Sequence, residues 1–378
     1  MVTQSPVDTF TIRGRTVLVK RDDKMRLKGS GISGNKARKL YTFNATPADQ
    51  LPDLVVSHGG AQSNAMLALA AVATSKGKRF RYYTKAVGRW LRRTPSGNFA
   101  RAMALNTEII EVHAEDYASA FGGSDGPPRA PSPDICPEGA MWVPQGGACA
   151  DAEAGLKMLA DEIAEYWGQH SGEREGREKE LVVVVPAGTG NGSTTAAFLN
   201  RHLRPHGNIS VATVPCVGGA DYLSRQMRRV LGAPLEPLPE ILDGASALSS
   251  STAAALNTGK RGAPSSLRKR SGTPVFGAPR AELLAVWQEL KDLGLFVDLL
   301  YAARAWEVLF ETWAADTSPS AGADAEGGGE GGDEGAPRGA RLLEGRTLMY
   351  VHCGGLEGVS SQLTRYRHLG LLEADAVQ

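Results

Sequence analysis

Leu181-Val182-Val183-Val184-Val185-Pro186-Ala187-Gly188-Thr189-Gly190-Asn191-Gly192-Ser193-Thr194-Thr195 decides the fold class. Its first five residues are apolar without alternation, the pattern of a strand covered on both faces rather than one. Small and polar residues then make a loop, and Thr194 to Leu203 reads as a helix. A buried strand that turns through glycines into a helix is the repeating unit of α/β proteins. The same alternation recurs outward in both directions. Strands are expected at 16–20, 54–56, 79–84, 109–113, 210–215, 295–299 and 347–352, and helices at 64–74 and 152–166. The expectation is an α/β fold with mostly parallel sheets, whose functional residues gather beyond the carboxyl ends of strands. Gly-rich turns at 57–64, 187–194 and 352–358 stand at such ends, either as site loops or merely as tight turns.

The bulk numbers are those of an ordinary soluble chain. In 378 residues, 42% are hydrophobic and 22% charged, room for two domains. A formal net charge of +1 gives no global field toward nucleic acid or an anionic membrane surface. No apolar run approaches the roughly 20 residues that span a bilayer. Met1 to Arg13 holds Asp8 and no apolar core, unlike a secretory signal, so a cytoplasmic location is expected. Cys136, Cys149, Cys216 and Cys353 are scattered without a Cys-x-x-Cys, which points to reduced thiols and no metal centre. His202 and His206 have ligand-like spacing, but Pro205 spoils a shared helical face. Residues 236–272 and 315–340 are poor in large apolar side chains and read as mobile surface insertions. The first carries Arg268-Lys269-Arg270, a solvated run or a docking signal.

Three segments carry chemistry. Ser33-Gly34-Asn35-Lys36-Ala37-Arg38-Lys39 sets a turn against a basic helical stretch. A cation in a first helical turn meets the positive end of the dipole, which favours the free amine that attacks a carbonyl. Lys36 is the candidate, though Arg38 or Lys39 would equally coat a helix. In Gly59-Gly60-Ala61-Gln62-Ser63-Asn64, Ser63 is a good N-cap, and the free N–H groups of the next helix suit a carboxylate. Ser63 either caps or moves protons. The loop Gly188 to Thr194 suits a phosphate; it lacks the Gly-Lys-Ser/Thr of a nucleotide P-loop. It is also a poor dinucleotide fingerprint, since Ser193 stands at the third glycine position and the next strand supplies no ribose-binding acid. An NAD-dependent oxidoreductase is disfavoured on that ground.

In this order, the motifs resemble those of the D-cysteine desulfhydrase and 1-aminocyclopropane-1-carboxylate (ACC) deaminase family, pyridoxal-phosphate enzymes of the tryptophan synthase β-like class. Val143-Pro144-Gln145-Gly146-Gly147, Asp298-Leu299-Leu300-Tyr301 and His352-Cys353-Gly354-Gly355 complete the set, which runs from about Val17 to Gly358. The resemblance implies fold type II: two three-layer α/β domains, the larger from residues 1–49 and 151–378, the smaller from 50–150, in a homodimer. It implies that Lys36 binds pyridoxal 5'-phosphate and then acts as a base. Gly188, Thr189, Gly190, Asn191, Gly192, Ser193 and Thr194 would hold the phosphate, with Asn64 and Cys353 beside the ring. Gln62, Ser63 and Asn64 would meet a small amino-acid substrate, faced by Phe276 and Tyr301, with Ser63 and Tyr301 near the reacting carbons.

The departures bear on substrate. ACC deaminases carry Glu after the tyrosine corresponding to Tyr301 and Leu at the position of Cys353; desulfhydrases tend to carry Ser or Thr at both. This chain has Ala302 and Cys353, and Phe276 stands where the family has a tyrosine. A ring nitrogen without an acidic partner is a weaker electron sink, which suits loss of a good leaving group better than opening a cyclopropane. The expectation is a lyase or deaminase releasing ammonia, D-cysteine desulfhydrase-like, ahead of an ACC deaminase. A pyridoxal-phosphate-binding protein without turnover is the reading from another class.

Overall fold

The computed structural model describes residues 4–122, 130–188, 192–233, 235–243, 276–316 and 342–373. Residues 244–272 and 317–340 of the two expected insertions, with Thr189, Gly190 and Asn191, lie outside them.

The quoted strand is central. Leu181–Ala187 (β7) pairs in parallel with Ile209–Pro215 (β8) on one side and Thr347–Val351 (β10) on the other. Val182 and Val184 face one apolar cluster with Trp306 and Tyr350, while Val183 and Val185 face another with Leu156, Ile163 and Phe198. Both faces are covered, which is why the run shows no alternation. Arg15–Lys20 (β2) extends the sheet beyond β10 in parallel. Its antiparallel partner Val7–Ile12 (β1) and the short Glu240–Ile241 (β9) close the order β1-β2-β10-β7-β8-β9. Neither edge strand was expected. Arg13 and Gly14 join β1 to β2 with φ of 50° and 75°, the left-handed pair of a tight hairpin turn.

A second sheet is all parallel, in the order β5-β4-β3-β6. It comprises Leu54–His58 (β3), Arg79–Lys85 (β4), Glu108–Val112 (β5) and Met141–Val143 (β6). The last is only three residues long, too short for a periodicity to show. Helices Asn64–Ser75, Glu153–His170 and Gly192–Leu203 stand close to their expected places.

The strand expected at 295–299 does not form. Leu295, Val297 and Leu299 are buried, which gave the strand-like signal, but the segment joins no ladder. Side chains satisfy its backbone instead. Trp287 Nε1 donates to Val297 O at 2.8 Å, His352 Nε2 lies 2.6 Å from Phe296 O, and the Leu299 N–H donates to Gln362 Oε1 at 2.9 Å.

Candidate active site

Lys36 sits in the short helix Gly34–Lys39, and two features fix it there. Gly34 has φ of 65°, and a Cβ on it would stand 2.2 Å from the carbonyl oxygen of Cys353. The Asn35 N–H donates to that oxygen at 3.0 Å, so the helix start abuts the turn after β10. Behind the helix, Arg38 is 1% exposed and donates to Asp22 Oδ1 at 2.8 Å and Glu162 Oε1 at 2.6 Å. Lys20 joins the same Glu162 at 2.7 Å. Lys39 is also buried, its Nζ donating to Gly146 O at 3.1 Å. Arg38 and Lys39 therefore anchor the helix rather than coat it.

Lys36 Nζ donates to Asn35 Oδ1 at 2.9 Å and lines a cavity of about 220 Å³, together with Asn64, Gly188, Gly192, Asp298, Tyr301 and Cys353. Burial disfavours the ammonium and lowers its pKa to about 8, against the partial support of negative charge from Glu357 and Asp298. Burial likewise pushes the Cys353 thiol up to about 12, so it is neutral at physiological pH.

The Gly59–Asn64 turn is built from below by Tyr82, whose hydroxyl donates to Gly60 O at 3.3 Å and leaves no room for a side chain at Gly59. Ser63 caps the helix Asn64–Ser75, its Oγ accepting from the N–H groups of Ala65 and Met66 at 3.2 and 3.3 Å. Gln62 faces away from the cavity: its Nε2 donates to Ser96 O at 3.0 Å and its Oε1 accepts from the Phe99 N–H at 3.3 Å. Asn64 lines the cavity and accepts at Oδ1 from Asn98 at 2.5 Å. Gln62 thus acts on the neighbouring segment, and of this motif's polar side chains only Asn64 is brought to Lys36.

After β7, Gly188 and Gly192 have no space for a Cβ, which would stand 2.3 Å from the Tyr301 ring and 2.2 Å from Ala187 Cα respectively. Ser193, Thr194 and Thr195 are fully buried at the start of the helix, and among the described residues Ser193 Oγ has no hydrogen-bond partner. A buried hydroxyl left unpaired is costly unless something else meets it. An oxyanion at that helix start would supply the partner, and with the buried Lys36 amine on the cavity that Gly188 and Gly192 line, the residues present fit a phosphate-bearing aldehyde such as pyridoxal phosphate.

The Tyr301 ring lies 5.3 Å from that of Phe276, tilted by 44°, and Asp298 fixes its backbone. The Asp298 carboxylate accepts the N–H groups of Leu300, Tyr301 and Ala302 at 2.9, 2.7 and 3.2 Å, capping the helix Ala302–Asp316. Sequence reading had Asp298 only as part of a motif; an Asp four residues before a helical run was the available signal. Arg101 and Glu357 also line the cavity, and no local pattern marks them. His202 lies outside the site and pairs with Glu153 at 3.0 Å.

No family model matches the chain. Over 253 residues it is 26% identical to a putative 1-aminocyclopropane-1-carboxylate deaminase of Pyrococcus horikoshii, a match spanning 61% of this chain and 66% of that protein's length. A crystal structure of an ACC deaminase homologue superposes with a TM-score of 0.63 at 19% identity, covering 98% of this chain and 94% of that one. A fungal L-serine ammonia-lyase from Rhizomucor miehei gives 0.52 at 14% identity, with 97% and 98% covered. Threonine deaminase isoform 2 of Solanum lycopersicum gives 0.51 at 11%, with 98% and 84% covered. Among the described residues no helix is long and apolar enough to cross a membrane. The chain shares its fold with these solved structures, the tryptophan synthase β-like, fold type II architecture.

Proposed function

We propose that this protein is a pyridoxal-phosphate-dependent lyase that removes ammonia from a small amino acid by elimination, D-cysteine desulfhydrase-like. The observation that carries the reading is the buried, low-pKa Lys36 on the same cavity as the loop that leads to the unpaired Ser193 hydroxyl. Lys36 would hold the cofactor, and Gly188 to Thr194 its phosphate. When bound there, the cofactor supplies a conjugated ring that accepts the electrons of a bond broken at the substrate's α-carbon.

The residues do the rest. The Asn64 amide, at the start of the helix Asn64–Ser75, binds and orients the substrate carboxylate. The Lys36 amine, mostly desolvated, takes the proton from the α-carbon. Tyr301, held by Asp298 and backed by Gly188, walls the cavity beside the substrate. For cysteine and one water the products are a keto acid, ammonia and sulfide, with the sulfur leaving with the electrons of its carbon bond.

Desulfhydration is favoured over ACC deamination because Ala302 offers no acid and Cys353 is held as a neutral thiol. A thiol is a poor hydrogen-bond partner. The test is to titrate the cofactor-loaded wild type and Lys36→Ala with D- and L-cysteine and with ACC, following visible absorbance and released sulfide. Sulfide from a cysteine enantiomer, lost in Lys36→Ala, is expected. Consumption of ACC with no sulfide from either enantiomer would overturn the preference. A visible band with no turnover of any amino acid would favour a binding protein instead.

A further inference from the structure

Two charged side chains on the Lys36 cavity are assigned no group of substrate or cofactor in the reading above: Arg101, on the helix Gly97–Ala104, and Glu357, in the turn Leu356–Gly358. The two elements pack against each other across the seam between the sheets. The helix Val359–His368 that follows the turn comes close as well, since a Cβ on Gly97 would stand 3.3 Å from Ser361. The helix start is held by the Gln62 amide and by Asn98 Nδ2, which donates to Gln62 O at 3.1 Å. Among the described residues, neither Arg101 nor Glu357 makes an ion pair, whereas the nearby Arg92 is joined to Glu111. A permanently charged guanidinium that lines a cavity, exposed and with no ion-pair partner among the described residues, offers a planar fork of donors to an incoming anion.

The substrate's α-carboxylate already has its own place at the start of the helix Asn64–Ser75. Resting on the function proposed above, we propose that Arg101 is a specificity-determining residue that binds a second anionic group, carried on the side chain of the amino-acid substrate, with Glu357 as the opposing charge. Removing Arg101 should then weaken anionic side chains selectively, and removing Glu357 should strengthen them. Because Arg101 is partly in water, the effect of losing it is roughly threefold to tenfold.

Aspartate and asparagine differ in side-chain charge at nearly equal shape and serve as probes. Both enantiomers of each are titrated by calorimetry into the cofactor-loaded wild type, Arg101→Gln and Glu357→Gln. The expected result is tighter binding of aspartate than asparagine by wild type. The preference falls in Arg101→Gln and rises in Glu357→Gln, and cofactor affinity of the cofactor-free protein is unchanged in Arg101→Gln. Equal binding of the two probes by wild type, or a preference untouched in Arg101→Gln, would overturn the proposal. So would a loss of cofactor affinity in Arg101→Gln, which would assign the guanidinium to the cofactor. The absorbance of the same wild-type sample, read before titration, separates these outcomes from failure of the cofactor assignment: without a visible band, it is that assignment that falls.

Discussion

At the residue scale, the decisive quantity is the pKa of Lys36. An ordinary lysine at 10.5 has a free amine in roughly one molecule in three thousand at pH 7, whereas one near 8 has it in about one in ten. Cofactor uptake by the cofactor-free protein should therefore speed up about tenfold per pH unit below 8 and level off above it. Stopped-flow absorbance across pH 6 to 9 checks this. The same burial costs stability. Between about 8 and 10.5 the unfolded chain binds the proton and the folded site does not, so stability from this group rises with pH across that window, and the penalty is complete below it. Lys36→Met should stabilise the cofactor-free protein at pH 7 by on the order of 3 kcal/mol, a gain that shrinks toward pH 10. Urea unfolding at the two pH values measures it. Lys36 was legible from its Gly-rich turn only as one of several basic residues, because desolvation depends on what the fold places around it. Gln62 misled for a related reason: a side-chain amide looks alike in sequence whether it meets a ligand or, as here, Ser96 and Phe99.

At the element scale, the helix Gly34–Lys39 is too short to hold itself. It depends on Arg38, without which Asp22 would be left buried with no cationic partner and Glu162 with Lys20 alone. Arg38→Ala should cost about 3–5 kcal/mol, and Arg38→Lys should not restore it, because lysine lacks the fork that meets both carboxylates. Urea unfolding of both variants decides. Gly34→Ala should also lower cofactor loading, since its Cβ would drive the helix from the Cys353 carbonyl; spectroscopic occupancy at fixed cofactor concentration reads this out. Most of the parallel strands and the helices that follow β3 and β7 were readable from apolar runs and caps. The segment 295–299 was not, because burial marks a residue as interior without saying whether strands or side chains satisfy its backbone. β1, β6 and β9 escaped because an edge strand or a three-residue strand carries little pattern.

At the scale of the whole molecule, the sheet built on β7 brings Gly188, Gly192 and Lys36, and the sheet built on β3 brings Asn64 and Arg101. The cavity lies where the two meet, so a ligand there bridges both. Pyridoxal phosphate at a hundredfold excess over its dissociation constant should then stabilise wild type by about 2.7 kcal/mol, and Lys36→Ala by much less. Thermal melts with and without cofactor measure the difference. The two-domain division at residues 50–150 and the homodimer are proposed to accompany this arrangement; light scattering of the full chain tests the latter, twice the mass of the chain being expected and the mass of a single chain contradicting it. The central claim is that Lys36 is the residue to which the cofactor is joined. Borohydride reduction of the cofactor-loaded protein, followed by digestion and mass spectrometry, tests it most directly. The account predicts the reduced cofactor on the peptide containing Lys36 and no label in Lys36→Ala; label on Lys39 or another lysine, or none in wild type, would contradict it.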